Sequence, residues 1–374
     1  MNQPKVGIIY LTFATPNWCQ DIPRAMKSLE EIVYPPEQIE LICVESNSPS
    51  GEIVKPWFEQ EWMPKSGKEL PRIHYIFHDE KIGFAGNVNH GFARAKELGC
   101  DYVYLLNEDA EVHPDFLRYA VERAEQDPKI AYVQSLILLG QDKNKVNTVG
   151  NAYHYLGFGY SNGYLWTHDQ ANQFFEQERK THLDLEIGYA SGAGVLGRVS
   201  LIDQCGLFDE KFFAYHEDTD ATFQARIRGY KIVIEPLSII YHYYEFTKTQ
   251  MPKNFLVERN RWVILLSYYR LWTFLLIVPM LFVMEVGQLI FSIWGGWWRE
   301  KIKVYREIVS SEFWQWIKVR HEKIQRERVI SDRELLRYAV STIEFQGEAV
   351  ANPLLQFIGN PLMKVYWGIV KRLI

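Results

Sequence analysis

The stretch that most constrains the fold is Asp101 to Val112, where an unbroken β-prone apolar run gives way to a cluster of carboxylates. Tyr102 to Leu106 shows no polar alternation, the pattern of a parallel strand covered by helices on both faces. In open α/β sheets ligands bind where such strands end, which puts Asn107, Glu108 and Asp109 at the edge of a site. Oxygen donors this closely spaced suit a hard divalent ion that keeps waters and holds a diphosphate. A strand followed by a turn and a solvated N-cap would read the same way, so this segment alone leaves both readings open.

The neighbouring sequence supplies the rest of a sheet. Val6 to Phe13 predicts a first strand, and apolar residues from Ile22 to Val33 recur at helical spacing until Pro35 and Pro36 stop them. Glu40 to Glu45 predicts a second strand ending in an acid, Ser46 to Gly51 is turn chemistry, and Arg72 to His78 predicts a third strand. Gly83 to Gly91 reads as a glycine-bearing loop that opens a helix over Phe92 to Leu98; its third glycine falls too late for a dinucleotide fingerprint. Strands alternating with helices predict an α/β fold with a mostly parallel sheet and right-handed crossovers. The small residues from Gly188 to Gly194 allow a ligand or another backbone to come close. Glu217 and Asp218 open a helix that runs to Arg228 and ends at Gly229. Asp218 is either an ordinary N-cap or, beside Phe212, Phe213 and Tyr215, a carboxylate perturbed by an enclosed site. Tyr230 to Ile234 and Leu237 to Tyr241 lead to His242.

The 374 residues, 47% of them hydrophobic, suffice for one large core and an appendage. A net charge of -5 argues against a nucleic-acid partner, which needs a clustered basic surface. Cys19, Cys43, Cys100 and Cys205 are too far apart for a zinc site and are expected to be reduced and mostly buried. Met1 to Lys5 leads directly into an apolar strand, leaving no room for a charged leader and cleavage site; the expectation is a cytoplasmic protein or one on the inner membrane face.

Four blocks together resemble the family 2 glycosyltransferases with the GT-A fold, over roughly Lys5 to Trp262. Val44-Glu-Ser-Asn-Ser48 stands where that family carries Val-Asp-Asn-x-Ser, and Gly83-Phe-Ala-Gly-Asn-Val-Asn-His-Gly91 is similar to its Gly-Phe-x-x-x-x-Asn-x-Gly loop. Leu105-Leu-Asn-Glu-Asp109 resembles its Leu-Leu-x-x-Asp form of the DxD motif. Gly206-Leu-Phe-Asp-Glu-Lys-Phe-Phe-Ala-Tyr-His-Glu-Asp218, followed by Gly229-Tyr230 and His242, is similar to its long Gly-x-Phe-Asp-Glu-x-Phe-Phe-x-Tyr-x-Glu-Asp signature. The pattern looks most like the bacterial rhamnosyltransferase and galactofuranosyltransferase branch, which builds cell-surface glycans.

The resemblance implies a nucleotide-sugar donor, a glycan or lipid-linked acceptor, and Mg²⁺ or Mn²⁺ as cofactor. Thr12, Glu45, Asn89, Asn107, Glu108, Asp109, Glu217 and Arg261 are the implied donor-side residues. Glu45 would contact the nucleoside, with Glu in place of the family's Asp, and Asn89 would touch the ribose or position its loop. Asp109, Asn107 and His242 would hold the metal; an imidazole suits Mn²⁺ better than Mg²⁺. Asp218 is the candidate general base, since a sugar hydroxyl is too weak an acid to attack unaided. Glu258-Arg-Asn-Arg261-Trp262 has the spacing of a Gln-x-x-Arg-Trp motif, so Arg261 would either hold phosphate or mark the polar edge of the hydrophobic segment that follows. Thr148 to Trp166, dense in aromatics and glycines, fits an acceptor loop and the core of a subdomain equally well.

After Trp262 the chain changes character, and a second region over 263 to 374 is expected to be helical. Leu271 to Trp298 carries a single charge, Glu285, with Pro279 in its middle, and neither side of Glu285 reaches the ~18 uninterrupted apolar residues of a spanning helix. Trp272, Trp294, Trp297, Trp298 and Arg299 suggest anchoring at a membrane surface by two helices lying in one leaflet; a two-span hairpin and a homo-oligomer interface are the competing readings. Arg320, Lys323, Arg326 and Arg328 would give a basic face for anionic lipid, and Pro353 to Ile374 adds another apolar segment tipped with Lys and Arg. A catalytically silent nucleotide-sugar-binding scaffold at the membrane is the alternative to an enzyme.

Overall fold

The computed structural model describes residues 3–48, 51–181, 184–243, 253–344 and 353–374. Pro49 and Ser50 of the expected turn lie outside them. The chain forms two compact units. The first comprises residues 1–151, 161–225 and 230–247, and the second 152–160, 226–229 and 248–374. The expected boundary at Trp262 would cut the continuous helix Lys253–Tyr268, which belongs whole to the second unit.

The strands, in chain order, are β1 (Val6–Leu11), β2 (Ile39–Ser46), β3 (Arg72–His78), β4 (Tyr102–Leu106), β5 (Ala110–Val112), β6 (Ile130–Leu139), β7 (Val146–Thr148), β8 (Asn151–His154), β9 (Gly159–Ser161), β10 (Gly194–Arg198), β11 (Lys231–His242) and β12 (Ala339–Val340). The main sheet of the first unit has the order β3-β2-β1-β4-β10-β6-β11-β5, with β7 on β6. Its first four strands are parallel, as the βαβ rhythm predicts. Beyond β4 the sheet is mixed, because β10 enters antiparallel between β4 and β6 and β5 closes antiparallel on β11. Successive residues of β1 and β4 feed opposite layers: Tyr102, Tyr104 and Leu106 pack with the helices Trp18–Leu29 and Phe116–Glu125, while Val103 and Leu105 pack with Gly83–Glu97 and Val199–Cys205. Both faces are dry, which is why the run lacks polar alternation.

Three expectations change. The helix expected from Phe92 begins at Gly83, so the glycine loop is its first two turns. A Cβ at Gly91 would lie 2.5 Å from Ile9 Cγ2, so the glycine serves close packing of helix on strand rather than a loop. In the second unit, Leu271–Trp294 is one helix that passes through Pro279 and Glu285, where two were expected. Among the described residues it alone is long and apolar enough to cross a membrane, with a mean hydropathy of 2.2 and 17% of its most apolar window buried. Half of the expected basic face turns inward: Arg320 and Arg328 are buried, donating to Ser267 Oγ (3.3 Å) and Asp332 Oδ1 (2.5 Å), while Lys323 and Arg326 stay exposed. Of the aromatics before Trp166, Tyr153, Tyr155 and Phe158 are buried in the second unit, where Tyr155 stacks on Trp367 at 4.6 Å, so there packing accounts for them. All four cysteines are free thiols, and only Cys19 is exposed.

Candidate functional site

The end of β4 and the end of β11 meet through β5. Ala110 pairs with His242 across the antiparallel bridge, and Tyr243 N donates to Asp109 O at 2.8 Å. This register brings His242 Nε2 to 3.0 Å from Asp109 Oδ1, while His242 Nδ1 lies 3.3 Å from Asn147 Oδ1. If Nδ1 carries the proton and donates to Asn147, Nε2 turns a lone pair toward a carboxylate. A cation between the two groups relieves that repulsion, as does the Nε2–H tautomer donating to Asp109. Asn107 Oδ1 is buried close by in sequence with no hydrogen-bond partner among the described residues. A carboxylate, an imidazole and an idle amide oxygen fit a divalent ion. Among the described residues no group of three His, Cys, Asp or Glu side chains forms a cage.

The acidic helix Glu217–Ile227 is aimed by a strained approach. Gly206 (φ +80) stops the helix Val199–Cys205, and Asp209 caps the short turn Glu210–Phe212 by accepting from Lys211 N at 3.0 Å. Phe213 then takes φ 64 and ψ -59, with Ala214 N donating to Phe212 O at 2.7 Å, a γ-turn of the strained hand. Tyr215 and His216 follow at φ 67 and 65, so three of the five left-handed non-glycine residues among those described stand directly before Glu217. Such strain persists only where the surroundings over-determine it. Here Asn89 grips the Phe208 backbone from both sides, donating to its O at 2.9 Å and accepting from its N at 3.2 Å, and Ala85 N donates to Phe213 O at 3.2 Å.

Asp218 accepts from Thr219 N at 2.7 Å and Gly192 N at 3.3 Å. The next residue of the same loop, Ala193, accepts from Asn107 N at 3.3 Å. One loop therefore touches both the acid cluster after β4 and the start of the acidic helix. Burial raises the Asp218 carboxyl to about 6 against the pull of those amides. Burial, and then the Asp218 charge, holds Glu217 well above the usual carboxylate range, and Glu217 Oε2 is buried with no partner among the described residues.

Other expected contacts fall elsewhere. Glu45 is 1% exposed and its carboxylate accepts from Val54 N (2.5 Å), Lys55 N (3.0 Å) and Tyr75 O–H (2.7 Å), so it caps the helix Lys55–Glu61 instead of facing a nucleoside. Thr12 is fully buried and donates to the Tyr75 hydroxyl at 3.0 Å, which corrects its donor-side assignment. Asn89 positions the Phe208 turn, the second of its two expected roles. Glu108 places its carbonyl under the Tyr10 hydroxyl at 2.9 Å. Arg261 is 0% exposed in the second unit, bonded to Leu156 O, Glu258, Glu285 and Gln288, so it is not a phosphate ligand. Sequence reasoning missed Asn87, whose Nδ2 holds Ser46 Oγ and Gly83 O at 2.8 Å while its buried Oδ1 has no partner among the described residues. It also missed Asn147, the middle residue of the three-residue strand Val146–Thr148.

The chain is similar to known glycosyltransferases. A probable glucomannan 4-β-mannosyltransferase 6 from rice (Oryza sativa subsp. japonica) is 27% identical over 172 residues, covering 45% of this chain and 26% of the relative. An N-acetylglucosaminyl-diphospho-decaprenol L-rhamnosyltransferase from Mycobacterium tuberculosis is 21% identical over 208 residues, covering 52% of this chain and 66% of the relative. The chain thus spans less than two thirds of either. The crystal structure of GalNAc-T7 with UDP, GalNAc and Mn²⁺ superposes with a TM-score of 0.55 at 12% identity, covering 75% of this chain and 51% of that one, a likeness of GT-A fold. The profile of Glycosyl transferase family 2 matches residues 14–206, more than half of the chain, and the protein belongs to that family.

Proposed function

We propose that the protein is an inverting, metal-dependent glycosyltransferase that moves a sugar from a nucleoside-diphosphate donor, of the dTDP-rhamnose or UDP-sugar class, to a hydroxyl of a lipid-linked glycan at the cytoplasmic membrane face. The observation that carries this reading is the shared loop: Gly192 N donates to Asp218 and Ala193 O accepts from Asn107 N, so adjacent residues hold the candidate base and the start of the candidate cation site. Asp218 takes the proton of the incoming hydroxyl as the new bond forms. With its pKa raised to about 6 it is a better base than an ordinary carboxylate and is still largely ionised near neutrality. Burial and the Asp218 charge push the Glu217 carboxyl upward, which favours its neutral form beside the base. Asp109, His242 and Asn107 would hold Mn²⁺ or Mg²⁺, which when bound neutralises charge on the departing diphosphate. A base acting opposite the leaving group needs no enzyme nucleophile, hence inversion. The decaprenol-linked acceptor in the mycobacterial relative's name and the Mn²⁺ of GalNAc-T7 support the acceptor and the ion.

The test is nucleoside diphosphate release from a panel of nucleotide sugars with Mn²⁺, Mg²⁺ or chelator. One donor should be turned over only with metal, and Asp218→Asn should retain donor and metal binding by calorimetry while losing transfer. Turnover indifferent to chelator, or near normal in the variant, would remove the proposal.

A further inference from the structure

The second unit leaves two apolar stripes uncovered. On the helix Leu271–Trp294, Leu271, Leu275, Phe282, Val286, Ile290 and Trp294 are exposed, 71% for the first and 75% for the last. The helix Asn360–Leu373 runs beside it with opposite sense, because Trp272 Nε1 donates to Leu373 O at 3.3 Å and Tyr366 O–H to Leu276 O at 2.7 Å. It exposes Leu362, Val365, Ile369 and Leu373 at helical spacing. Soluble surfaces rarely keep apolar patches of this extent bare.

Two observations say what covers them. The opposite side of Leu271–Trp294 is bound to protein along its length: Thr273, Ile277, Met280, Leu281 and Ser292 are buried. In the same stripe Glu285 bonds Arg261 and lies 2.9 Å from Lys301, both 0% exposed. Drawing this helix across a bilayer would pull Glu285 from its cations and strand charges in hydrocarbon. The second observation is a cleft of about 400 Å³ where the first helix begins and the second ends, lined by Arg337, Lys371 and Arg372 beside Trp367, and by Arg333, which also donates to Ile374 O (2.8 Å) and Arg372 O (3.1 Å); among the described residues no acidic side chain lines it. A cationic recess at the rim of an apolar face is complementary to phosphate headgroups above acyl chains.

We propose that these two helices form an in-plane docking surface for an anionic bilayer, with the apolar stripes sunk into one leaflet and the Arg333, Arg337, Lys371 and Arg372 recess taking lipid phosphate. It rests on the lipid-linked acceptor reading for its purpose only. The purified full chain should float with vesicles of 30% phosphatidylglycerol in phosphatidylcholine. Lys371→Glu/Arg372→Glu should lower that affinity at least tenfold, at about 1 kcal/mol per basic residue, and leave weak binding to neutral vesicles unchanged. Phe282→Asp/Val365→Asp should abolish both. In a Cys19→Ser background, where the remaining thiols are buried, Arg299→Cys should react with an impermeant maleimide on intact vesicles; protection until detergent is added would mean a spanning helix and overturn the in-plane mode. Binding unaffected by either pair, or a dimer in solution broken by Phe282→Asp/Val365→Asp without any vesicle binding, would overturn the surface. Donor hydrolysis in solution keeps the readings apart. Lost flotation with intact hydrolysis defeats only this inference, and lost hydrolysis with intact flotation defeats only the transfer reading.

Discussion

The two units each bury a pair of carboxylates and treat them in opposite ways. In the first, Glu217 and Asp218 are deprived of water, with backbone amides on Asp218, and both are pushed upward by burial. In the second, Glu258 and Glu285 are buried as well, yet Arg261 and Lys301 outweigh that burial and hold both below the ordinary range, Glu258 at about 2. Burial costs a charge several kcal/mol, and cations at hydrogen-bond distance repay it. The compensated cluster serves architecture, tying three helices together. The uncompensated pair has the upward-shifted carboxyls that the proposed role of Asp218 calls for.

The comparison breaks first if Asp218 is expendable. Asp218→Asn should reduce transfer on the order of 10³-fold, within the usual range for a lost general base, while melting no lower than the parent because the amide carries no charge to desolvate. Near-parental kcat would put Asp218 in the architectural class. Conversely, Lys301→Met should leave the carboxylates undercompensated and cost about 3 kcal/mol, read as a shift in denaturant midpoint. The pair Lys301→Met/Glu258→Gln should recover much of that loss, since removing both partners removes the stranded charge.

The same contrast appears in pH. Asp218 has a raised pKa, so its protonated form is favoured; transfer should fall on an acidic limb near pH 6, while the folding cost of its charge disappears as pH falls below that value. Glu258 has a lowered pKa, so its stabilisation is complete above the ordinary carboxylate pKa and is lost only as pH falls toward about 2. Activity and stability should therefore decline in separate windows, activity first. Coincident loss near pH 6 would mean that the unit unfolds there and that the limb does not report the base.

Much of this was legible locally. β4 announced itself because both faces are dry, and the carboxylates beyond it had to stand at a sheet edge. The left-handed run before Glu217 was not legible, since Phe213 and Tyr215 do not favour such a backbone and a single His216, of a type enriched there, is too weak a signal. Illegible features depend on distant partners. β10 reads as Gly-Val-Leu-Gly-Arg and becomes a strand only between β4 and β6. Glu285 looked like an interruption of an apolar helix until Arg261 and Lys301 met it from other helices. Arg320 and Arg328 looked like a basic face but turn inward to Ser267 and Asp332.

Glu45 supplies the smallest and sharpest test, because it is buried with neither answer used above. Among the described residues no cation pairs with it at hydrogen-bond distance; two amides at a helix start and the Tyr75 hydroxyl do, and burial leaves its pKa raised against their pull and that of the Lys55 charge. Neutral donors satisfy a carboxylate less completely than cations, so Glu45 should behave between the two pairs. Glu45→Gln keeps one acceptor and turns an N–H₂ toward donors, which should cost about 1 kcal/mol, the scale of a lost helix cap. If Glu45 only caps its helix, the KM for the nucleotide sugar and the preference among bases should be unchanged in Glu45→Gln. A change in base preference without a loss of stability would show that the side chain leaves its cap when donor binds, and would move Glu45 from the architectural class to the working one.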